Sequence, residues 1–546
     1  MPHPLRRAAA MAVGGVLAVA LAACIPVQPI VPAPPRPDVP SVAVDGRAVR
    51  EGGDLVMALS NEPDRLDPTT SSSLYTRYVM NAMCEKLYDI DAAGELVPQL
   101  ASALPSVSPD GRTVTIPLRT GITFADGTPF DAAAVATTFE RNLTMDTSKR
   151  KGELGPITAV EVADPATLVV RYAQPFAPLT ASLADRAGMI MSPAALAELG
   201  ADFSEAPVCV GPFRFAERVP QTSITVVRDP HYYAADQVHL DSITYRIMTD
   251  ANIRAANLRS GDVQVADTIS PQDVDSLQLE RGIGVLQIGS LGYQGITFNL
   301  GNVDGVGEPP RPIDTPLASD ARVRQAFALS VDRTTLVNAV FNNWYEPACS
   351  PISPASPFST PASEACPPYD PARARELLAE AGVPTPYPLT MLVSNSQDTL
   401  RLAQALQASV RDGGFEITIQ PVEYSTLLDT QDRGDFELLQ LGWSGRIDPH
   451  GNMPPFLVTG SNDNVAGYSN PEVDRLLGEA AQVGDRAARA AIYGQVVEIV
   501  QRDLPILYLY RQRNLTAYTT DVAGIATYAD GVVRLGQAAF LAEEAE

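Results

Sequence analysis

In the second half of the chain, apolar residues recur at helical spacing between clear start and stop signals. Asp370 and Pro371 supply an N-cap and a first-turn proline for a helix over 372–381, with Leu377, Leu378 and Ala381 on one side and Gly382 as the stop. Asn470-Pro471 opens a second helix carrying Val473, Leu476, Leu477 and Ala480. Asp485 opens a longer one with Ile492, Val496, Ile499 and Val500 on one face, ended by Pro505 ahead of an apolar strand over 506–510. Leu402, Leu406 and Val410 mark a helix closed by Gly413-Gly414, after which Phe415, Ile417 and Ile419 alternate as a strand. The first half favours strands. Val114, Ile116 and Leu118 alternate behind the turn Asp110-Gly111, 168–172 follows Asp164-Pro165, and 224–227 and 243–248 repeat the pattern. One helix interrupts them, capped by Asp131, with Val135, Phe139 and Leu143 on its buried face. Helices and strands alternating without an internal repeat predict α/β layers.

The pattern changes at the N-terminus, where Arg6-Arg7 precede an uncharged, mostly apolar run over 8–23. A helix of that length spans about 24 Å, short of the roughly 30 Å hydrocarbon core, so 1–23 reads as a signal peptide before a membrane span. Leu21-Ala22-Ala23-Cys24 resembles the bacterial lipobox, which makes Cys24 the lipidated first residue of the mature chain; a plain secretory signal with an incidental cysteine is the alternative. Prolines crowd residues 25–40 and favour extended backbone, so 24–49 is expected to be a tether. Export places Cys84, Cys209, Cys349 and Cys366 where an even number of cysteines favours disulfides, and three pairings are open. Cys349 and Cys366 bracket a loop rich in Pro and Ser that a bridge would pin, so the expected pairs are Cys349–Cys366 and Cys84–Cys209, against four buried thiols.

Composition removes several function classes. Acidic residues outnumber basic ones 64 to 40, for a net charge of -24, which argues against a nucleic-acid partner. The lysines, Lys86, Lys149 and Lys151, do not follow a glycine, so no Walker A loop exists, and no G-x-G-x-x-G occurs. His3, His231, His239 and His450 form no H-x-x-x-H pair and no C-x-x-C is present, so neither a metal nor another cofactor is expected. The run 442–446 (GWSGR) stops short of G-x-S-x-G and no histidine motif would activate Ser444, so the chain is not expected to be an enzyme.

Segment 85–143 contains Leu87-Tyr88, 97–101 (VPQLA), Asp110-Gly111, Leu118-Arg119 and 124–130 (FADGTPF) in close succession. It resembles the extracellular solute-binding proteins of the dipeptide and oligopeptide (family 5) class. The likeness continues through Glu62-Pro63, 66–68, 210–213, 258–263, 322–326 with Asp332-Arg333, 369–372, and Gly442-Trp443 to Asp448-Pro449. What it implies is a bilobal periplasmic-binding-protein fold of type II, in the large peptide-binding class, whose lobes close on ligand about a hinge. Mapped by these motifs, 50–88, 209–290 and 506–540 build the first lobe, 89–208 an extra subdomain on it, and 291–505 the second lobe. The segment 293–300 and the strand after Pro505 fall near the crossovers.

Candidate ligand contacts follow. Ser60, Asn61 and Glu62, with Ser72 and Tyr75, sit in polar turns at element ends. Tyr293 and Asn299 place polar groups in an apolar segment where each needs a partner. Phe213 reads as core. Trp443 beside a glycine loop offers a flat apolar wall, and the related peptide receptors carry an acid about three positions later for the ligand's ammonium; here that place holds Arg446, followed by Asp448. A buried guanidinium requires an anion, supplied by the ligand or by an acid of the chain. The resemblance implies a monomeric receptor in the cell envelope, at the outer face of the cytoplasmic membrane or in the periplasm. Anchored by lipid on Cys24, it hands a peptide-like or small polar organic ligand to the membrane subunits of an ABC permease. The alternative is a sensor or envelope-assembly accessory of the same fold that binds a protein or glycolipid.

Overall fold

In the computed structural model, which describes residues 36–542, two mixed β-sheets organise the chain from Pro37 onward. The chain divides into Met1–Arg36 and Pro37–Glu546. The expected signal peptide, Cys24 and the tether up to residue 35 lie outside the described residues.

The first sheet has seven strands, in the order Phe213–Val219, Ser223–Arg228, Ser242–Ile247, Asp54–Leu59, Val265–Ala266, Arg513–Thr519 and Ile283–Gly289. Asp54–Leu59 runs parallel to both neighbours, with Leu55 opposite Ile243 and Met57 opposite Tyr245 and Val265. These residues are buried, and burial on both faces is why that strand reads as a continuous apolar run. The second sheet has six strands, in the order Glu346–Pro347, Ile506–Arg511, Tyr293–Phe298, Leu438–Trp443, Tyr387–Ser394 and Phe415–Val422. The resemblance maps 506–540 to the first lobe. Instead, Ile506–Arg511, buried along its whole length, pairs antiparallel with Tyr293–Phe298 in the second sheet. A strand apolar on both faces needs a central place, and the change of sheet comes at Gln512.

The chain therefore passes between the sheets at 289–293 and at 511–513. Backbones touch there: a Cβ on Gly292 would strike the Trp443 carbonyl, and Gly445, at φ +89°, lies against Gly292 itself, so neither position tolerates a side chain. Segment 89–208 carries an antiparallel sheet ordered Ser106–Val107, Thr113–Pro117, Thr167–Tyr172 and Ile157–Asp164. Helix Ala132–Thr144 packs on it, capped by Asp131, whose carboxylate accepts from Ala134 N at 3.0 Å. Val135 and Phe139 are fully buried in this third core.

The expected helix signals act as read in the second half. Asp370, Asn470 and Asp485 cap Pro371–Glu380, Pro471–Gln482 and Arg486–Asp503, and the last ends at Leu504, ahead of Pro505. The expected tether is shorter than 24–49. From Val39 the chain is part of the fold: Val39 N and O exchange hydrogen bonds with Gln287 at 2.7 and 2.9 Å, Ser41–Val42 pairs with Ile525–Thr527, and Val49–Arg50 pairs with Ala539–Leu541. The prolines thin out after Pro40, and the Val and Ser residues that follow have free N–H groups for sheet pairing. Both disulfides form as expected, Cys84–Cys209 and Cys349–Cys366, with Cα atoms 4.9 and 4.8 Å apart.

Candidate functional site

Between the two sheets lies a cavity of about 170 Å³ lined from both sides. The strand Asp54–Leu59 ends in Ser60 and Asn61, and helix Leu74–Met83, capped by Ser73, brings Tyr75 against them. The Tyr75 hydroxyl accepts from Asn61 Nδ2 at 2.8 Å and lies 3.1 Å from Ser60 Oγ, while Asp267 accepts Ser60 N at 2.7 Å and the Ser60 hydroxyl proton at 2.9 Å. Burial raises the pKa of Asp267, and burial together with the Asp267 charge raises that of Tyr75, so the phenol stays protonated. The opposite wall is polar at alternate positions of apolar strands. Gln440 donates to Gln294 at 3.4 Å, and Gln294 to Gln512 at 3.2 Å, a row of amides across the sheet next to the crossover. Helix Gln397–Ser409, capped by Ser396, contributes Asp398 at one end of the cavity.

Trp443 also lines the cavity. Its indole donates to Asn452 Oδ1 at 3.0 Å; the same oxygen accepts Arg446 N at 2.7 Å, and Asn452 Nδ2 returns to Arg446 O at 2.8 Å, which staples loop 443–446. The Arg446 guanidinium lies 4.1 Å from the Trp443 ring centroid and ion-pairs through Nε with Asp185. Asp185 also accepts Arg77 Nε at 2.9 Å, and Arg77 continues to Asp530 at 3.2 Å and to Ser444 Oγ at 3.3 Å. Burial alone would raise the Asp185 pKa, but Arg446 and Arg77 hold its carboxyl far below the usual range. Burial brings Arg446 down to about 9, against the opposing pull of Asp185, so the pair is charged at neutral pH. The anion that a buried guanidinium requires at this position is thus a residue of the chain, drawn from segment 89–208.

Ser60, Asn61, Ser72, Tyr75 and Trp443 come together on the cavity. Tyr293 lies beside it, lining an adjoining space of about 70 Å³ with its ring 4.7 Å from that of Tyr508. Four of the expected contacts have partners within the protein. Glu62 binds Arg218 at 2.7 Å and Gln221 N at 3.0 Å. Asn299 spans the backbone of Asn302 and Gly434 at 3.0 and 2.9 Å. Arg446 is held by Asp185, and Asp448 takes both Arg489 Nη atoms at 2.8 and 2.7 Å. Phe213 is core, at 1% exposure. The residues missed by sequence reasoning are Gln294, Gln440, Gln512, Asp398, Tyr345 and Tyr510. Gln294 and Gln440 leave a signal, since each interrupts an apolar strand; Asp398 looks like any acid in a helix's first turn.

The family model for bacterial extracellular solute-binding proteins, family 5 Middle, matches residues 95–464. The glutathione-binding protein GsiB of Pectobacterium atrosepticum is 28% identical over 489 residues, which cover 87% of this chain and 92% of its own. Among solved structures, the murein tripeptide binding protein MppA of Escherichia coli superposes with a TM-score of 0.82 at 22% identity, over 91% of this chain and 100% of that one. The binding protein AgaA of A. tumefaciens R10, in complex with agropinic acid, does so with a TM-score of 0.80 at 25% identity, over 90% and 99%.

Proposed function

The chain belongs to the bacterial extracellular solute-binding proteins of family 5, and from that premise we propose that it is a lipid-anchored receptor that closes on a peptide-like or other small polar organic ligand and hands it to the membrane subunits of an ABC importer. The observation that carries this reading is the cavity between the two sheets, walled by Ser60 and Tyr75 on one side and by Gln440 and Trp443 on the other. A ligand held there touches both lobes, so its contacts favour the closed arrangement over an open one. The two strand crossings beside the cavity supply the hinge. Segment 89–208 belongs with the first lobe, to which Cys84–Cys209 ties it. Relatives named for glutathione and for a murein tripeptide favour a peptide-like ligand. The anchor is acyl chains on Cys24, and the receptor acts as a monomer at the outer face of the cytoplasmic membrane or in the periplasm.

Mass spectrometry of the small molecules released on denaturing the purified protein identifies the ligand. Added back at a hundredfold excess over Kd, it should stabilise the protein by about 2.7 kcal/mol and shrink its radius of gyration in solution scattering. A ligand that binds yet leaves melting temperature and radius unchanged refutes the hinged receptor.

A further inference from the structure

One end of the cavity carries polar groups that the protein leaves unused. Tyr345 and Tyr510 stack with ring centroids 5.7 Å apart and planes 6° from parallel, and Phe341 packs against both at 4.6 Å. The two tyrosines are 6% and 5% exposed and both line the cavity. Among the described residues neither phenol oxygen has a hydrogen-bond partner. Unlike the buried, unpaired phenol of Tyr88, both oxygens keep contact with solvent, so both hydroxyls are open to what occupies the cavity.

Asp398 is the only carboxylate among the described residues that line this space. Its Oδ1 accepts Ser270 Oγ at 3.0 Å and Arg401 Nη1 at 2.8 Å, and its Oδ2 accepts from no described residue. Arg401 screens it only in part, its own side chain being 41% exposed to solvent. Asp398 lines the same cavity as the two tyrosines, and burial, followed by the Asp398 charge, raises the pKa of both phenols and keeps their hydroxyls protonated. Two cations stand nearby: Arg254, which also lines the cavity, donates to the carbonyls of Met248, Thr249 and Thr268 at 2.7, 3.1 and 2.8 Å and acts on Asp267, and Arg446 is held by Asp185. A half-used carboxylate beside stacked aromatic rings is the chemistry that receives an ammonium, through a charge-assisted hydrogen bond and attraction to the ring faces.

We propose that Asp398, Tyr345 and Tyr510 form an ammonium subsite, in which a primary amine of the ligand donates to Asp398 Oδ2 and to the phenol oxygens. The inference rests on the reading that this cavity is the ligand site, and it gives the ligand a class: amine-bearing, with the amine at Asp398.

The test is calorimetric titration of the full chain with matched pairs of free and acetylated amines: Met-Leu and N-acetyl-Met-Leu, glutathione and its N-acetyl form, glucosamine and N-acetylglucosamine. The free amine of at least one pair should bind roughly ten- to a hundredfold more tightly than its acetylated partner, the range expected of a charged hydrogen bond. Asp398→Asn keeps an acceptor for Ser270 and should abolish that preference without weakening the acetylated member. The double variant Tyr345→Phe/Tyr510→Phe keeps the rings and should reduce the preference several-fold; it decides the matter if Asp398→Asn does not fold. Equal binding of both members, binding of no probe, or a preference that survives these variants overturns the subsite. Peptides that bind regardless of acetylation leave the receptor reading standing and sink the subsite. A preference confined to glucosamine upholds the subsite and sinks the peptide-like ligand.

Discussion

Replacing Arg446 with alanine cuts the charge network that joins the two sides of the cleft. Asp185 is buried and divides its charge between Arg446 and Arg77, the latter at 2.9 Å. Removing one partner of a buried pair costs about 3–5 kcal/mol because the other charge is left behind. Here Arg77 remains on Asp185, which puts the loss at the lower end, about 3 kcal/mol. The guanidinium also leaves the Trp443 face, 4.1 Å away, adding about 1 kcal/mol. A double-mutant cycle with Asp185→Asn separates the pair from these neighbours, and contacting charges of this kind couple by about 0.5–3 kcal/mol. Urea unfolding followed by tryptophan fluorescence reads all four corners of the cycle. Trp443 is one of only two tryptophans in the chain, so its signal also reports the loop directly. A coupling indistinguishable from zero, with Arg446→Ala as stable as wild type, would show that Asp185 and Arg446 are not joined in solution.

Other outcomes can be checked on the same protein. His450 packs edge-on against Phe176 at 5.3 Å, its Nδ1 is buried without a partner, and burial, reinforced by Arg489 and opposed by Asp448, lowers its pKa to about 4. The unfolded chain takes up a proton near pH 6.5 that the native state refuses until about pH 4, so stability should fall as pH drops through that window, by up to about 3 kcal/mol. In His450→Gln, urea midpoints should lose that slope; an unchanged acid limb refutes the assignment. Serine at both Cys349 and Cys366, which close a separation of 17 residues, should cost about 3 kcal/mol in the chain-entropy picture, measured by thermal melting under oxidising conditions. Cys24→Ala should release the protein from the membrane fraction or leave it unprocessed, since each buried acyl CH₂ contributes about 0.8 kcal/mol; unaltered partitioning into detergent rules out the lipid anchor.

Much of this architecture is written in local signals. Asp131, Asp370, Asn470 and Asp485 cap helices where a polar residue precedes a periodic apolar run, because capping needs only near neighbours. Sheet membership is different in kind: nothing in 506–511 says which sheet receives it, since a strand buried on both faces fits the centre of either. The site divides the same way. Ser60, Asn61 and Tyr75 are recognisable as polar residues at element ends, whereas Arg446 finds its anion in Asp185, which is remote in sequence and indistinguishable there from any surface acid. Asp398, Tyr345 and Tyr510 come from three separate segments, and only folding makes them neighbours.

The docked N-terminal segment ties the start of the fold to one of the two sheets. Val39 is bonded to Gln287 of the seven-stranded sheet, Asp38 pairs with Arg513 of the same sheet at 2.6 Å, and 41–50 pairs with strands beyond residue 520. The segment is therefore held by that sheet and by the small sheets built from strands beyond residue 520. The sheet that carries Gln440 and Trp443 is joined to the seven-stranded one by the crossings at 289–293 and 511–513, so in the proposed closure the sheet tied to the N-terminal segment is the one held and the other is the one that swings.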